Sequence, residues 1–115
     1  MAQTDLQRKG QLGEDAALDH LRLHGLELVE RNFRCKGGEL DLIMRDGAHL
    51  VFVEVRRRRS RAFGGAAASI TPAKQRRMTI AAQVFLLRYR NMPPCRFDVV
   101  AIDGDTIVWL KNVLD

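Results

Sequence analysis

The sequence predicts an α/β fold, a mixed central β-sheet flanked by helices, with elements in the order αβββαββ. Three observations predict it. Apolar residues recur at helical spacing near the amino terminus and again after Thr71-Pro72,. Strand-like runs, two of them joined as a hairpin, lie between these helices, and two more follow the second,. The second helix lies between the third and fourth strands, where it must act as a crossover, so those two strands run parallel in an otherwise antiparallel sheet. At 115 residues the chain is expected to form one domain over 1–115, long enough to bury its own core,.

The first helix is read in "DLQRKGQLGEDAALDHLRLHG", ended by Gly25,. Its apolar stripe is Ala17, Leu18 and Leu21, and Glu14 precedes these by three, four and seven residues, an unusual inward position for an acid,. "LELVERNF" reads as the first strand. "GELDLIMRDGAHLVFVEVR" reads as a hairpin turning on Asp46-Gly47,. "RRRSRAFGGAAAS", from Arg57 onward, has no periodicity and reads as a loop. Thr71 as N-cap and Pro72 at the first helical position open the second helix, whose stripe is Met78, Ala81, Ala82 and Phe85,. Lys74 falls four residues before Met78, on that inward side. "CRFDVVAID" and "TIVWLKNVL" are the last two strands, joined at Gly104.

Composition narrows the function classes. The net charge is +5, which suits a polyanionic partner such as nucleic acid or an acidic membrane surface and by itself selects neither,. No apolar run is long enough to cross a bilayer, and "MAQTDLQRKGQLGEDAALDH" lacks the apolar core of a signal peptide, so a cytoplasmic location and no membrane partner are expected,. Cys35 and Cys95 stand sixty residues apart, a spacing that supports neither a disulfide nor a zinc site,.

The hairpin arithmetic concentrates acids. With Asp46-Gly47 as the loop, Asp41 opposes Phe52, Glu39 opposes Glu54 and His49 opposes Met44. Period two then sends Glu39, Asp41, Glu54 and Arg56 to one side, with Asp41 and Glu54 as diagonal neighbours. Two carboxylates that close call for a counter-charge, either nearby arginines or a divalent cation such as Mg²⁺ or Mn²⁺. A metal there would polarise a phosphodiester and activate water, while the arginines following Glu54 would hold the phosphate backbone. The plainer reading is a solvated strand face whose acids pair with local arginines. Arg96 and Asp98 read as a local ion pair near the rim of the sheet, and His20 and His24 as surface residues.

At these residues the chain resembles a known pattern. "GELDLIMRDGAHLVFVEVR" is similar to the D-(x)n-E-x-K signature of the restriction-endonuclease-like fold. The pieces "GQLGEDAALDHL", "NFRCKGGELDLI", "VFVEVRRR", "AFG", "TPAKQRRM" and "RFDVVAI", in this order from Gly10 to Ile102, resemble the YraN-like family of predicted bacterial endonucleases, akin in core to archaeal Holliday-junction resolvases. The resemblance implies a metal-dependent nuclease acting on DNA, including branched recombination intermediates, with metal ligands at Glu14, Asp41 and Glu54. It departs at the motif lysine, which is Arg56 here. Arginine supplies charge and bidentate phosphate contacts but does not release its proton near neutral pH. Lys74 on the neighbouring helix is a candidate substitute. Arg57, Arg58, Arg59, Arg61, Lys74 and Arg77 are the candidate nucleic-acid contacts. The competing class is a nucleic-acid-binding module that has lost catalysis with that lysine. Junction resolution needs two active sites, which would make the protein a homodimer.

Overall fold

The computed structural model describes residues 5–58 and 70–114, with side chains for 12–57 and 70–114. Helix α1 (Asp5–Leu23) leads into β1 (Glu27–Cys35), β2 (Gly38–Asp46) and β3 (His49–Arg58). Helix α2 (Pro72–Leu86) precedes β4 (Cys95–Asp103) and β5 (Thr106–Leu110). The five strands lie in sequential order, all neighbours antiparallel except β3 and β4. The order αβββαββ and the parallel pair are as the pattern predicts.

Both helix boundaries follow from local chemistry. Gly25 takes φ +89° after α1. The Leu26 and Gly25 amides then donate to the Leu21 and Arg22 carbonyls at 3.1 and 3.0 Å, closing a Schellman end,. Buried Leu26 joins Leu21 in the core below. At α2 the Thr71 hydroxyl accepts from the Lys74 amide at 3.1 Å, with Pro72 beginning the helix,.

Each helix covers one face of the sheet. Ala17, Leu18 and Leu21 of α1 pack on Leu42, Met44, Val51, Val53, Val100 and Ile102. Met78, Ala81, Ala82 and Phe85 of α2 pack on Leu40, Ile43, Leu50 and Phe52. The approach of α2 to β2 is close enough to require glycine. A Cβ on Gly38 would stand 2.2 Å from the Arg77 carbonyl oxygen and 2.9 Å from the Ala81 nitrogen, both backbone atoms. Gly38→Ala is therefore expected to cost about 1–3 kcal/mol through forced separation of α2 from the sheet. A thermal melt should show Tm lowered by at least about 5 °C.

Four local expectations need correction. The β2–β3 turn is Gly47-Ala48, not Asp46-Gly47, since Asp46 pairs with His49 and Arg45 with Leu50. Gly47, at φ +59°, holds the first central position, where a two-residue hairpin of type II′ demands glycine,. The register is thereby displaced by two residues, which leaves the faces of the paired residues unchanged and makes Asp41 and Glu54 the first residues beyond the ladder on each strand,. Second, β3 continues through Arg57 and Arg58, paired with Ile102 and Asp103, so these two arginines belong to a strand. Arg59, Arg61 and the rest of the predicted loop through 69 lie outside the described residues. Third, β5 ends at Leu110, short of the predicted end at Leu114. Fourth, Asp98 is fully buried rather than at a rim.

Candidate active site

The sheet splits between β2 and β3. Their ladder runs from Asp46↔His49 only to Leu42↔Val53. Beyond it β2 stays with β1 as far as Gly38, while β3 stays with β4 as far as Arg58. Asp41 sits where they part, and its Oδ2 accepts a 2.8 Å hydrogen bond from the Val55 amide, which has left the ladder. A side chain thus replaces a backbone carbonyl at the fork, satisfying a donor that would otherwise be orphaned.

The same position breaks the alternation of β2. Leu42 buries against α1 and Leu40 against α2, although regular pleating would put both on one face,. Across the β1–β2 ladder, pairing passes from Arg31↔Leu42 to Phe33↔Leu40, and the intervening Asn32 has φ +52°. Asp41 and Asn32 mark a shared kink. Asp41 therefore interacts with acids from both layers, Glu14 on α1 and Glu54 on the α2 side.

Glu54 is only 2% exposed. Its Oε1 meets Lys74 Nζ at 3.2 Å and an Arg56 guanidinium nitrogen at 3.6 Å. Its buried Oε2 receives no hydrogen bond from any described residue. Burial first, then the negative charge of Asp41, push the Glu54 carboxyl up to about 7, against the pull of Lys74,. Glu14 is also raised, by partial burial and then by Asp41, while Arg31 and Asn32 oppose the shift. Arg31 lies 3.6 Å from Glu14, and the Asn32 amide, with nitrogen turned inward, lies 3.0 and 3.2 Å from its two oxygens. Among the described residues no three His, Cys, Asp or Glu side chains are gathered closely enough to enclose a metal.

Residues 13–102 match a family model described as "Uncharacterised protein family UPF0102". The chain belongs to this family. A UPF0102 protein of Janthinobacterium sp. (strain Marseille) is 61% identical over 112 residues, covering 97% of this chain and 91% of the relative. One from Cupriavidus taiwanensis is 60% identical over 111 residues, covering 95% and 84%. One from Acidovorax sp. (strain JS42) is 58% identical over 111 residues, covering 92% and 83%. This is the YraN-like family that the sequence pieces resemble. The UPF0102 match spans Glu14, Asp41, Glu54, Arg56, Lys74 and Arg77. Among the described residues of this UPF0102 chain, no helix is long and apolar enough to cross a membrane.

The fold brings Glu54, Arg56 and Lys74 together, with Asp41 beside Glu54 and Glu14 within its electrostatic reach. It divides the arginine run. Arg56 turns towards Glu54, while the Arg57 side chain passes Gly13 of α1, on the other face. Glu39, which parity sets on the side of Glu54, does not oppose it: it pairs with Arg34 on β1, and its Oε1 takes Lys74 at 3.4 Å and Arg77 at 3.5 Å. Sequence reasoning missed Asn32, and nothing in its neighbours announces a left-handed conformation.

Proposed function

We propose that this chain is a metal-dependent nuclease that hydrolyses phosphodiester bonds in DNA. One observation carries the reading. Asp41 and Glu54 converge at the fork of the sheet, and the buried Oε2 of Glu54 has no donor. A buried acceptor of this kind costs free energy unless something positive meets it. Carboxylate oxygens are the donors that hard divalent cations take, commonly one or two per ion with water completing the shell, so Asp41 and Glu54 fit Mg²⁺ or Mn²⁺, with Glu14 the third acid within electrostatic reach of Asp41,. Such a cation, when bound, supplies polarisation of the phosphodiester and acidification of a water.

The remaining roles fall to the chain's own cations. Arg56 keeps its proton and acts through charge and bidentate contact with a phosphate. Lys74 brings an ammonium to the same carboxylate from α2, where a lysine on β3 is absent. Arg77, on the same turn of α2, extends the positive surface towards the backbone of a bound strand.

A second reading also has an observation behind it. Lys74 and Arg56 already offset part of the charge on Glu54, as they would in a binding module that needs no metal. The test incubates branched, single-stranded and duplex DNA with the protein in Mn²⁺, beside Asp41→Asn. Metal-dependent nicking by the parent and at least about a hundredfold less by Asp41→Asn is the expected outcome. Salt-sensitive binding without product from either protein would favour the module.

A further inference from the structure

Lys74 Nζ bridges two carboxylates, Glu54 at 3.2 Å inside the site and Glu39 at 3.4 Å towards its edge. Both contacts from the ammonium go to Oε1 atoms, so the unpartnered Oε2 of Glu54 is left to face elsewhere. The lysine cannot easily withdraw. Its amide is held by the Thr71 cap, Gly38 lets α2 lie tight on β2, and the Lys74 side chain is only 19% exposed. Glu39 is the more exposed partner, at 35%, and also takes Arg77.

We infer that Glu39 is a positioning residue: it draws Lys74 away from Glu54, so that a divalent cation can enter by displacing one contact of the ammonium while the other keeps Lys74 beside the phosphate. The inference rests on the proposed metal-dependent reading. Two like charges compete for one carboxylate, and a cation binds Glu54 more tightly the less Lys74 occupies it. Glu39 sets that occupancy. Without it, the ammonium has Glu54 as its remaining carboxylate partner and opposes metal entry more strongly. Once a cation is bound, the retained Glu39 contact leaves Lys74 as an anchored positive charge at the mouth of the site.

Titration of the full-length protein with Mn²⁺, followed by calorimetry, tests this without reference to turnover. Lys74→Met should tighten Mn²⁺ binding about tenfold, and Glu39→Gln should weaken it by several-fold, within the usual range of coupling between linked sites. In the Lys74→Met background, Glu39→Gln should have no effect on affinity, because its influence passes through the ammonium. Unchanged or weaker binding by Lys74→Met overturns the inference. So does an equal loss from Glu39→Gln with and without Lys74, which would make Glu39 a direct ligand or a purely structural residue. Each of those results leaves the metal reading intact. Absence of binding that depends on Asp41, in the parent and in Lys74→Met alike, removes both.

Discussion

Glu54→Gln is expected to yield a protein more stable than its parent at pH 8 in EDTA and, under the proposed nuclease function, one without metal-dependent cleavage. The folded-state carboxyl is raised from 4.5 to about 7 by burial and by Asp41. Between those pH values the folded protein holds a proton that the unfolded chain has released. Stability from this group is therefore fully present below pH 4.5 and is lost as pH rises through 7. The difference corresponds to about 3 kcal/mol at pH 8. Glutamine keeps the shape and stays neutral, so it escapes that loss, and Lys74 retains Glu39 as a partner. Melts should show the Tm of the parent falling between pH 5 and 8. The variant should fall less and end about 5–15 °C higher. If the variant instead melts below the parent at pH 8, the cations around Glu54 more than offset its burial, and the site is a stabilising ion network. A gain in stability on loss of Glu54 would accord with the proposed function, since residues kept for activity commonly cost stability.

The second large effect lies away from the fork. Asp98, 0% exposed, accepts from Arg96 Nε at 3.1 Å through both oxygens, from Trp109 Nε1 at 2.9 Å and from the Asn112 amide at 3.0 Å. Arg96 reaches on to Asp46 at 2.9 Å. One carboxylate thus ties the β2–β3 turn, β4, β5 and the carboxy-terminal segment together. Asp98→Ala would strand three donors, two of them neutral and one a guanidinium with a single remaining partner. The expected cost is about 3–5 kcal/mol, in the range for breaking a buried charge network from one side. Urea unfolding should show a lower midpoint at an unchanged m-value. A midpoint within about 0.3 M of the parent would mean that water replaces the lost contacts and the network contributes little.

These two acids also show how much of the molecule could be read in advance. Thr71-Pro72 and Gly25 announce helix boundaries because capping involves only neighbours a few residues apart,. The inward place of Lys74 follows from its distance to Met78, for the same reason. The face of Glu54 survived a register that was wrong by two residues, since a strand repeats every second residue,. Asp98 was misjudged because its burial depends on Asn112 and Trp109 folding back over it. Alternation within "CRFDVVAID" carries no trace of that later segment.

The apolar faces of the helices and the inward face of Glu54 are properties of spacing, and spacing is written in the chain: rotation per residue converts position into direction without any knowledge of neighbours. The fork is of another kind. It exists because β2 follows β1, β3 follows β4, and a kink at Asn32 and Asp41 turns one carboxylate into the gap between them. Which donors reach Glu54, and which of its oxygens is left without one, is settled by contacts among β2, β3 and α2, which no local periodicity encodes.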